Sequence, residues 1–258
     1  MSQGTDFELV ATPDDPRAVR ELQKLVRGQL IAWDPVSQRE VWRYQHPGPW
    51  NGGVLATAGD LVFQGSLIGE MAAYNAQNGQ RLWQFPAQTG ISAAPISYEV
   101  DQQQHIAIAV GWGTVFAMAG GAGTAALGQK NISRVMSFRL GARGSLPALE
   151  APVVAAVPEP PQSTANTDMV DLGNDLYFQR CWVCHRDSAV SGGLVPDLRR
   201  SSAGVHSIWN TIVLGGALKD AGMPGFKGVI SEAGSEAIHA YVIERAQRAY
   251  KEQQNDER

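Results

Sequence analysis

The chain has 258 residues, of which 44% are hydrophobic and 18% are charged, and its formal net charge is -4. This composition excludes a disordered chain and is sufficient for one large core or two modest ones. Interspersed acidic and basic residues argue against nucleic-acid binding, and no run approaches the roughly 18 apolar residues that a membrane helix needs.

The first thirty residues lack the three parts of a secretory signal, which are a basic start, an apolar middle and a small-residue cleavage site. From these residues alone, the chain has no visible route out of the cytoplasm. Residues 16–27 are predicted to form a short helix, because Asp15 can cap its start and Gly28 can end it.

An internal repeat follows the predicted helix. Residues 32–42 read AWDPVSQREVW and residues 73–83 read AYNAQNGQRLW, so that Trp42 and Trp83 lie 41 residues apart in matching contexts. Each copy is predicted to be two strands joined by a turn. Gly79 supplies the positive φ of that turn in the second copy, whereas Gln38 occupies the same place in the first.

Further short strands continue this pattern. Residues 55–65 are predicted to form a hairpin with its turn at Gly59 and Asp60, and residues 91–111 contain short apolar runs such as HIAIAVG. Strands that repeat about every 40 residues are typical of propeller blades, with an unrelated β-sandwich as the alternative. We therefore expect residues 1–145 to form a partial, all-β propeller of about two to three blades, completed by another segment or chain.

Composition changes near residue 146. Residues 146–167 are rich in Pro and Ala, poor in charge and without periodicity, which predicts a semi-rigid linker. A second, all-α domain is predicted at residues 168–258. Its first helix contains Gly173, which costs roughly 1 kcal/mol in mid-helix. A second helix that begins after Ser231 and packs Tyr241 against Gly173 would explain this glycine.

The only two cysteines of the chain, Cys181 and Cys184, are followed directly by His185. Zinc would need four ligands where three are offered, and a redox dithiol would need a βαβ context instead of helical flanks. On a helical turn, however, the two cysteines can form thioethers with the two vinyl groups of a haem, while His185 lies under the iron. The sequence therefore favours covalent haem c.

Met223 is the only methionine after His185 and is predicted to be the second axial ligand. Its thioether would raise the haem potential, as suits electron transfer. His206 and His239 are the alternatives. We expect His239 to face solvent, and His206 to lie at the surface or beside a haem propionate.

Other contacts of the predicted haem depend on weaker patterns. The carbonyl of Pro196 could accept the ring N–H of His185 and fix its tautomer, with a plain turn proline as the alternative. Arg199 and Trp209 could reach the haem propionates, but a solvated arginine and a core tryptophan are favoured.

Residues 168–258 resemble a small, single-haem class I cytochrome c domain, through GxxxYxxxCxxCH, the following proline, the Met-Pro loop and the closing aromatic helix. Residues 28–145 resemble the last blades of the eight-bladed propeller of pyrroloquinoline quinone (PQQ)-dependent alcohol dehydrogenases. The stretches that carry this resemblance are LIAWDPVSQREVW, HPGPWNGGVLATAGDLVFQG, AYNAQNGQRLWQF and GWG. A propeller, a Pro-rich linker and a cytochrome together are the arrangement of quinohaemoprotein alcohol dehydrogenases.

In that family the propeller binds PQQ and calcium, an aspartate acts as base on the alcohol, and electrons pass singly from the quinol to the haem. The resemblance places Trp50, Asn51 and Val115 at the PQQ pocket, with blade packing as the alternative for Trp50. It also implies that Trp42 and Trp83 dock neighbouring blades, with their indole N–H groups bonded to neighbouring strands.

The catalytic aspartate, calcium ligands and disulfide of the family belong to earlier blades, and nothing in this sequence matches them. We therefore expect a C-terminal fragment, a split-gene product or a truncated gene model of a periplasmic enzyme. As part of that dehydrogenase, the chain would relay electrons from the quinone. The alternatives are a stand-alone electron-transfer cytochrome with a vestigial or partner-binding β segment, or an inactive remnant. The implied partners are the missing blades or N-terminal chain, and an acceptor such as a cytochrome, a copper protein or a membrane quinone oxidoreductase.

Overall fold

The computed structural model describes residues 27–48, 51–112, 131–149 and 156–256, together with residues 18, 21, 24 and 25, which are helical and lie within the predicted helix at 16–27. The chain divides into two compact units. Among the described residues, the β unit contains 27–48, 51–112 and 131–149, and the helical unit contains 156–256.

The β unit consists of antiparallel sheets in which strands adjacent in sequence are paired. The described residues form a two-stranded, a four-stranded and a three-stranded sheet. Their strands are β1 (Gly28–Asp34) and β2 (Arg39–His46), then β3 (Val54–Ala56), β4 (Leu61–Gly65), β5 (Glu70–Asn75) and β6 (Arg81–Pro86), then β7 (Ile96–Val100), β8 (Gln103–Val110) and β9 (Arg134–Arg139).

The sequence repeat corresponds to a structural repeat. Ala32 of β1 pairs with Trp42 of β2, as Ala73 of β5 pairs with Trp83 of β6, and in both hairpins the register shifts at the residue that follows the alanine. The same sequence pattern thus produces the same bulge twice, as expected of equivalent positions in successive blades.

Trp42 docks as predicted. Its surface is 9% exposed, and its indole N–H donates to the carbonyl of Ala76, in the turn after β5 of the neighbouring sheet, at 2.8 Å. For Trp83 the prediction is only partly right. Its ring contacts Phe138 of β9 with centroids 5.1 Å apart, but 37% of its surface is exposed, so it does not become a buried counterpart of Trp42.

These sheets confirm the coarse prediction of partial β-propeller-like architecture. The four-stranded sheet has the strand number of a complete blade, and its neighbours have fewer strands. Within the described residues, the sheets do not close into a ring or barrel. An apolar core lies between the four-stranded and three-stranded sheets and includes Met71, Ile91 and Ile108, all at most 2% exposed.

The helical unit is built from α1 (Thr167–Arg180), α2 (Trp182–His185), α3 (Ala203–Ser207), α4 (Trp209–Val213) and α5 (Glu232–Asp256), with short 3-10 turns between them. The side chain of Asn166 caps α1 by accepting the N–H of Met169 at 2.9 Å. The hydroxyl of Ser231 caps α5 by accepting the N–H of Gly234 at 3.0 Å, as the sequence predicted.

Helices α1 and α5 cross at Gly173, which confirms the predicted contact. A Cβ atom on Gly173 would lie 2.0 Å from the carbonyl oxygen of Ala237 and 3.0 Å from the Cβ of Tyr241. Glycine is therefore required by the close approach of the two helices, and Tyr177, one turn later on α1, packs its ring 5.0 Å from that of Tyr241.

The Pro-rich stretch at 156–166 has no regular secondary structure, but it lies against α5. The N–H of Val157 donates to Gln253 at 2.7 Å, and Gln247 donates to the carbonyl of Pro161 at 3.0 Å. Helix α5 has 25 residues, and neither it nor any other described helix combines the length and the apolar character of a membrane span.

Candidate functional site

The turn that carries both cysteines and His185 is tightly wound. The N–H groups of Cys184 and His185 both donate to the carbonyl of Cys181, at 3.1 and 2.9 Å. Cys181 is half-buried and Cys184 is exposed. Because one helical turn brings residues three apart to the same face, the two thiols are presented together beside the imidazole.

His185 is 9% exposed, and its ring is oriented by the backbone. Its Nδ1 lies 3.3 Å from the carbonyl oxygen of Pro196. A carbonyl oxygen can only accept, so Nδ1 carries the proton and Nε2 keeps the lone pair that can bind a metal. Burial lowers the pKa of His185, against smaller opposing effects of Pro196 and Asp197, so the neutral ring is favoured.

Tyr177 forms two hydrogen bonds with the backbone of the turn that carries the cysteines. Its hydroxyl donates to the carbonyl of Arg186 at 2.8 Å, and its own carbonyl accepts the N–H of Cys181 at 2.8 Å. The side chain is 2% exposed, and burial is the first cause that raises its pKa. Tyr177 therefore fixes the residues on both sides of the two cysteines.

The environment of Cys181 keeps its thiol protonated. Burial, and then Cys184, raise the pKa of the Cys181 thiol to about 12. Because redox dithiols react as thiolates, a thiol with this raised pKa argues against a redox dithiol. Among the described residues, no three His, Cys, Asp or Glu side chains come together as a metal-ion site.

Met223 lies in an irregular loop, with Gly222 at a φ of 94° before it, and its N–H donates to the carbonyl of Leu218 at 3.1 Å. The side chain packs against the core of the helical unit, as does Cys181. That core consists of Tyr177, Ala189, Trp209, Val213, Ile230, Ile238, Tyr241 and Val242. The structure thus brings the predicted ligand loop and a predicted thioether cysteine to one apolar core.

The expectations that His239 faces solvent and that His206 lies at the surface are wrong, whereas a haem propionate beside His206 stays a prediction. His206 is 8% exposed rather than at the surface, and its Nδ1 lies 2.9 Å from Nε2 of His239. His239 does not simply face solvent either, because its ring stacks on Trp209 with centroids 4.4 Å apart. The partners are 33 residues apart, and no local pattern in the sequence could have indicated the pair.

Arg199 and Trp209 have partners within the protein. The Arg199 guanidinium forms an ion pair with Asp197, with 2.7 Å between Nη2 and Oδ2, and is not simply solvated. Trp209 is 7% exposed and its indole N–H donates to the carbonyl of Ser235 at 3.1 Å. The interpretation of Trp209 as a core residue is therefore confirmed.

In the β unit, Trp50 and Val115 lie outside the described residues. Asn51 is described, and both ends of its amide bind the backbone. Its Nδ2 donates to the carbonyl of Gly48 at 3.1 Å, and its Oδ1 accepts the N–H of Leu67 at 3.4 Å. Asn51 therefore shapes the loop around the predicted pocket residues.

Trp112, in the GWG motif, is a candidate that sequence reasoning missed. It is 3% exposed, and its indole N–H is buried with no hydrogen-bond partner among the described residues. A Cβ atom on Gly90 would lie 2.4 Å from this nitrogen. A buried donor without a partner is rare in proteins, so Trp112 is a candidate donor to a group that the described residues do not include.

Comparisons with known proteins address both units. A family model described as "Outer membrane protein assembly factor BamB" matches residues 14–154, which is more than half of the chain. Quinohemoprotein alcohol dehydrogenase ADH IIB of Pseudomonas putida is 46% identical over 227 residues, covering 88% of this chain and 33% of the relative. The chain belongs to the family of PQQ-dependent quinohaemoprotein alcohol dehydrogenases.

Two further matches support this membership. The dehydrogenase subunit of alcohol dehydrogenase (quinone) from Acetobacter aceti is 39% identical, covering 96% of this chain and 33% of the relative. The solved structure of quinohemoprotein alcohol dehydrogenase ADHIIG from Pseudomonas putida superposes with a TM-score of 0.81 and 36% identity, covering 93% of this chain and 35% of that one. The chain thus spans about a third of the length of its relatives within this dehydrogenase family.

Proposed function

We propose that the chain is the C-terminal part of a PQQ-dependent alcohol dehydrogenase. In this proposal its helical unit is a cytochrome c domain. Cys181 and Cys184 hold haem c by thioethers, and His185 and Met223 are the axial ligands of the iron. The unit accepts electrons one at a time from the reduced quinone and passes them to an external acceptor.

The observation that carries the proposal is the orientation of His185. Its ring is buried, neutral and oriented through Nδ1, so that Nε2 is left as a ligand. Haem c, when bound, supplies a one-electron carrier. Met223 would complete its coordination with a thioether, and the apolar core beside Met223 and Cys181 would exclude water from the cofactor.

Covalent haem attachment is the first prediction. The full chain, produced in a bacterial periplasm with haem-attachment machinery, is expected to carry one haem that stays bound after denaturation and shows a haem c absorption spectrum. The double variant Cys181→Ala, Cys184→Ala is expected to lose all covalent haem, because both thioethers are removed.

Ser163→Ala is the matched control, since this exposed serine of the helical unit has no role in the predicted site. It should attach haem like the unaltered chain. Denaturation that releases all haem from the unaltered chain would contradict the proposal.

The partner within the dehydrogenase is proposed to be the missing blades or N-terminal chain. In the described part of the β unit, β9 is an edge strand of the three-stranded sheet, as β6 is of the four-stranded sheet. A groove of about 1240 Å³ next to β9 is lined by apolar side chains that include Trp83, Phe85, Val135 and Phe138. A further strand would pair with β9 and cover Val135, which is 78% exposed.

PQQ and calcium are proposed to bind where those blades meet the β unit. Trp112 supports this part, because its buried indole N–H lacks a partner among the described residues. Asn51 would keep the adjacent loop in place, and Trp50 and Val115 are the other proposed contacts. PQQ, when bound, supplies the two-electron oxidation of the alcohol. The external acceptor is proposed to be a cytochrome, a copper protein or a membrane quinone oxidoreductase, and the location to be the periplasm.

A second candidate is a stand-alone electron-transfer cytochrome whose β segment is vestigial or binds a partner. The sheets of the described residues, which do not close into a ring, favour it for this chain by itself. Reconstitution with PQQ and calcium, followed by an alcohol, distinguishes the two. We expect the isolated chain to show no alcohol-dependent haem reduction, because no residue here matches the catalytic aspartate or the calcium ligands of the family.

Addition of the missing propeller segment as a separate polypeptide should restore that reduction if the chain is part of a dehydrogenase. No reduction after a stable complex has formed would favour the stand-alone cytochrome. Reduction by the isolated chain would overturn the inference that the catalytic base lies outside this sequence.

A further inference from the structure

Buried His206 and half-buried His239 of the helical unit form a linear hydrogen bond. His206 Nδ1 and His239 Nε2 are 2.9 Å apart, and the ring planes differ by 22°. The ring centroids are 5.1 Å apart, which exceeds the nitrogen separation by about the width of one imidazole ring. The two nitrogens therefore face each other edge to edge, and one proton is shared between them.

The surroundings favour a neutral pair with capacity for one more proton. His206 is 8% exposed, and its Nε2 is buried without a hydrogen-bond partner among the described residues. If His206 donates through Nδ1, this Nε2 is an acceptor, which is less unfavourable than a buried N–H without a partner. The indole of Trp209 stacks on His239 at 9° and 4.4 Å, a geometry that also stabilises an imidazolium.

Charged side chains near the pair come from only some of the elements packed around it. Helices α3 and α4 carry no charged side chain besides His206. On α5 the charged residues are Glu232, Glu236, Glu244, Arg245, Arg248, Lys251, Glu252 and Asp256. The other elements carry Asp168, Asp171, Asp175 and Arg180 on α1, Arg199 and Arg200 on the 3-10 turn Leu198–Arg200 with Asp197 before it, and Asp187 in the 3-10 turn that also contacts α5.

Burial, rather than any of these charges, lowers the pKa of His206. For His239 burial is again the first cause and His206 the second, and together they lower its pKa to about 4. The protonated pair is therefore unfavourable in the resting protein. A new negative charge in the same core would make protonation of the pair less unfavourable.

We propose that His206 and His239 form a proton-binding site coupled to electron transfer in the helical unit. The pair takes one proton from solvent when the unit gains one electron from its donor, and it returns the proton when the electron leaves. This inference rests on the proposed haem c function. Trp209 connects the two sites, because it stacks on His239 and belongs to the core against which Cys181 and Met223 pack.

The direction of the pH dependence follows from linkage. Burial lowers the pKa of both rings, so the pair is expected to be neutral near pH 7 in the oxidised protein, and gain of an electron would raise the pKa of the pair. Between the oxidised and the reduced pKa, reduction binds a proton, so the midpoint potential falls as the pH rises. Above the reduced pKa the pair stays neutral in both states, and its contribution to the slope ends.

The test is a spectroelectrochemical titration of the haem-loaded full chain from about pH 4 to about pH 8. The variants are His239→Gln, whose amide can occupy the position of Nε2 without titrating, and His206→Asn, whose amide can replace Nδ1. The control is His105→Gln, which changes a histidine of the β unit. We expect the unaltered chain and His105→Gln to share one slope in the acid range, and both pair variants to lose most of it.

NMR of the imidazole nitrogens provides a second measurement, in which the pair should titrate at a higher pH in the reduced protein than in the oxidised one. A normal haem spectrum with a pH-independent potential, or with an unchanged slope in the folded pair variants, would overturn the proton site and leave the haem proposal intact. Absence of haem from the chain would overturn both.

Discussion

Gly173→Ala is expected to destabilise the helical unit by about 3 kcal/mol, because the added methyl group meets backbone that cannot move aside. Its Cβ would lie 2.0 Å from the carbonyl oxygen of Ala237 on α5. On an open helix the same change would be stabilising by up to about 1 kcal/mol, since alanine is the better helix former. The clash should outweigh this propensity, so that the sign of the effect itself reports the helix crossing.

Gly204→Ala is the matched control, because Gly204 is also helical but a Cβ there would meet only the hydroxyl of Ser202, at 3.7 Å. It should leave the unfolding midpoint unchanged or slightly raised. Urea unfolding followed by far-ultraviolet circular dichroism measures both variants. A Gly173→Ala protein as stable as the unaltered chain would show that α1 and α5 do not approach this closely.

Met223→Ala is expected to remove the methionine-ligation signature from the spectrum of the oxidised haem and to lower the midpoint potential markedly. The thioether favours ferrous iron, and its loss exposes that coordination position to water or a stronger donor. Met169→Ala, a change at the start of α1, is the control and should keep both properties. A spectrum unchanged in Met223→Ala would assign the second axial ligand to another side chain.

Features that depend on local physics were predictable from the sequence. The Gly59-Asp60 hairpin appears between β3 and β4, with Asp60 at a φ of 59°. Ser231 begins the last helix, and Gly173 marks the crossing of α1 and α5. In each case a single residue type carries the information, because a turn, a cap or a close approach tolerates few alternatives.

Features set by distant parts of the chain were not predictable. The contact between His206 and His239 depends on how α3 packs on α5, which neither local sequence records. Trp83 repeats the context of Trp42, yet 37% of its surface is exposed, and its ring contacts Phe138 of the next sheet whereas Trp42 donates to a turn carbonyl. A repeat predicts equivalent strands, but it does not predict equivalent neighbours.

The turn of the first repeat shows how a glycine position can be replaced. Gln38 takes a φ of 53°, close to the 73° of Gly79. The preceding turn is held by Asp34, whose carboxylate accepts the N–H of Val36 at 2.9 Å and the hydroxyl of Ser37 at 2.6 Å. Hydrogen bonds to this side chain can offset the strain of a left-handed glutamine, which is why the missing glycine did not disrupt the hairpin.

The outer edge of β9 also has a consequence for the solution behaviour of the chain. An exposed strand edge next to apolar side chains is a template for pairing with any extended polypeptide, including a misfolded copy of the same protein. Arg134 and Arg139, at the two ends of β9, are the charged residues that can oppose such stacking. Among the described residues no strand pairs with the outer edge of β9, so aggregation is expected to compete with pairing to a further strand, and to do so more at higher concentration of the chain.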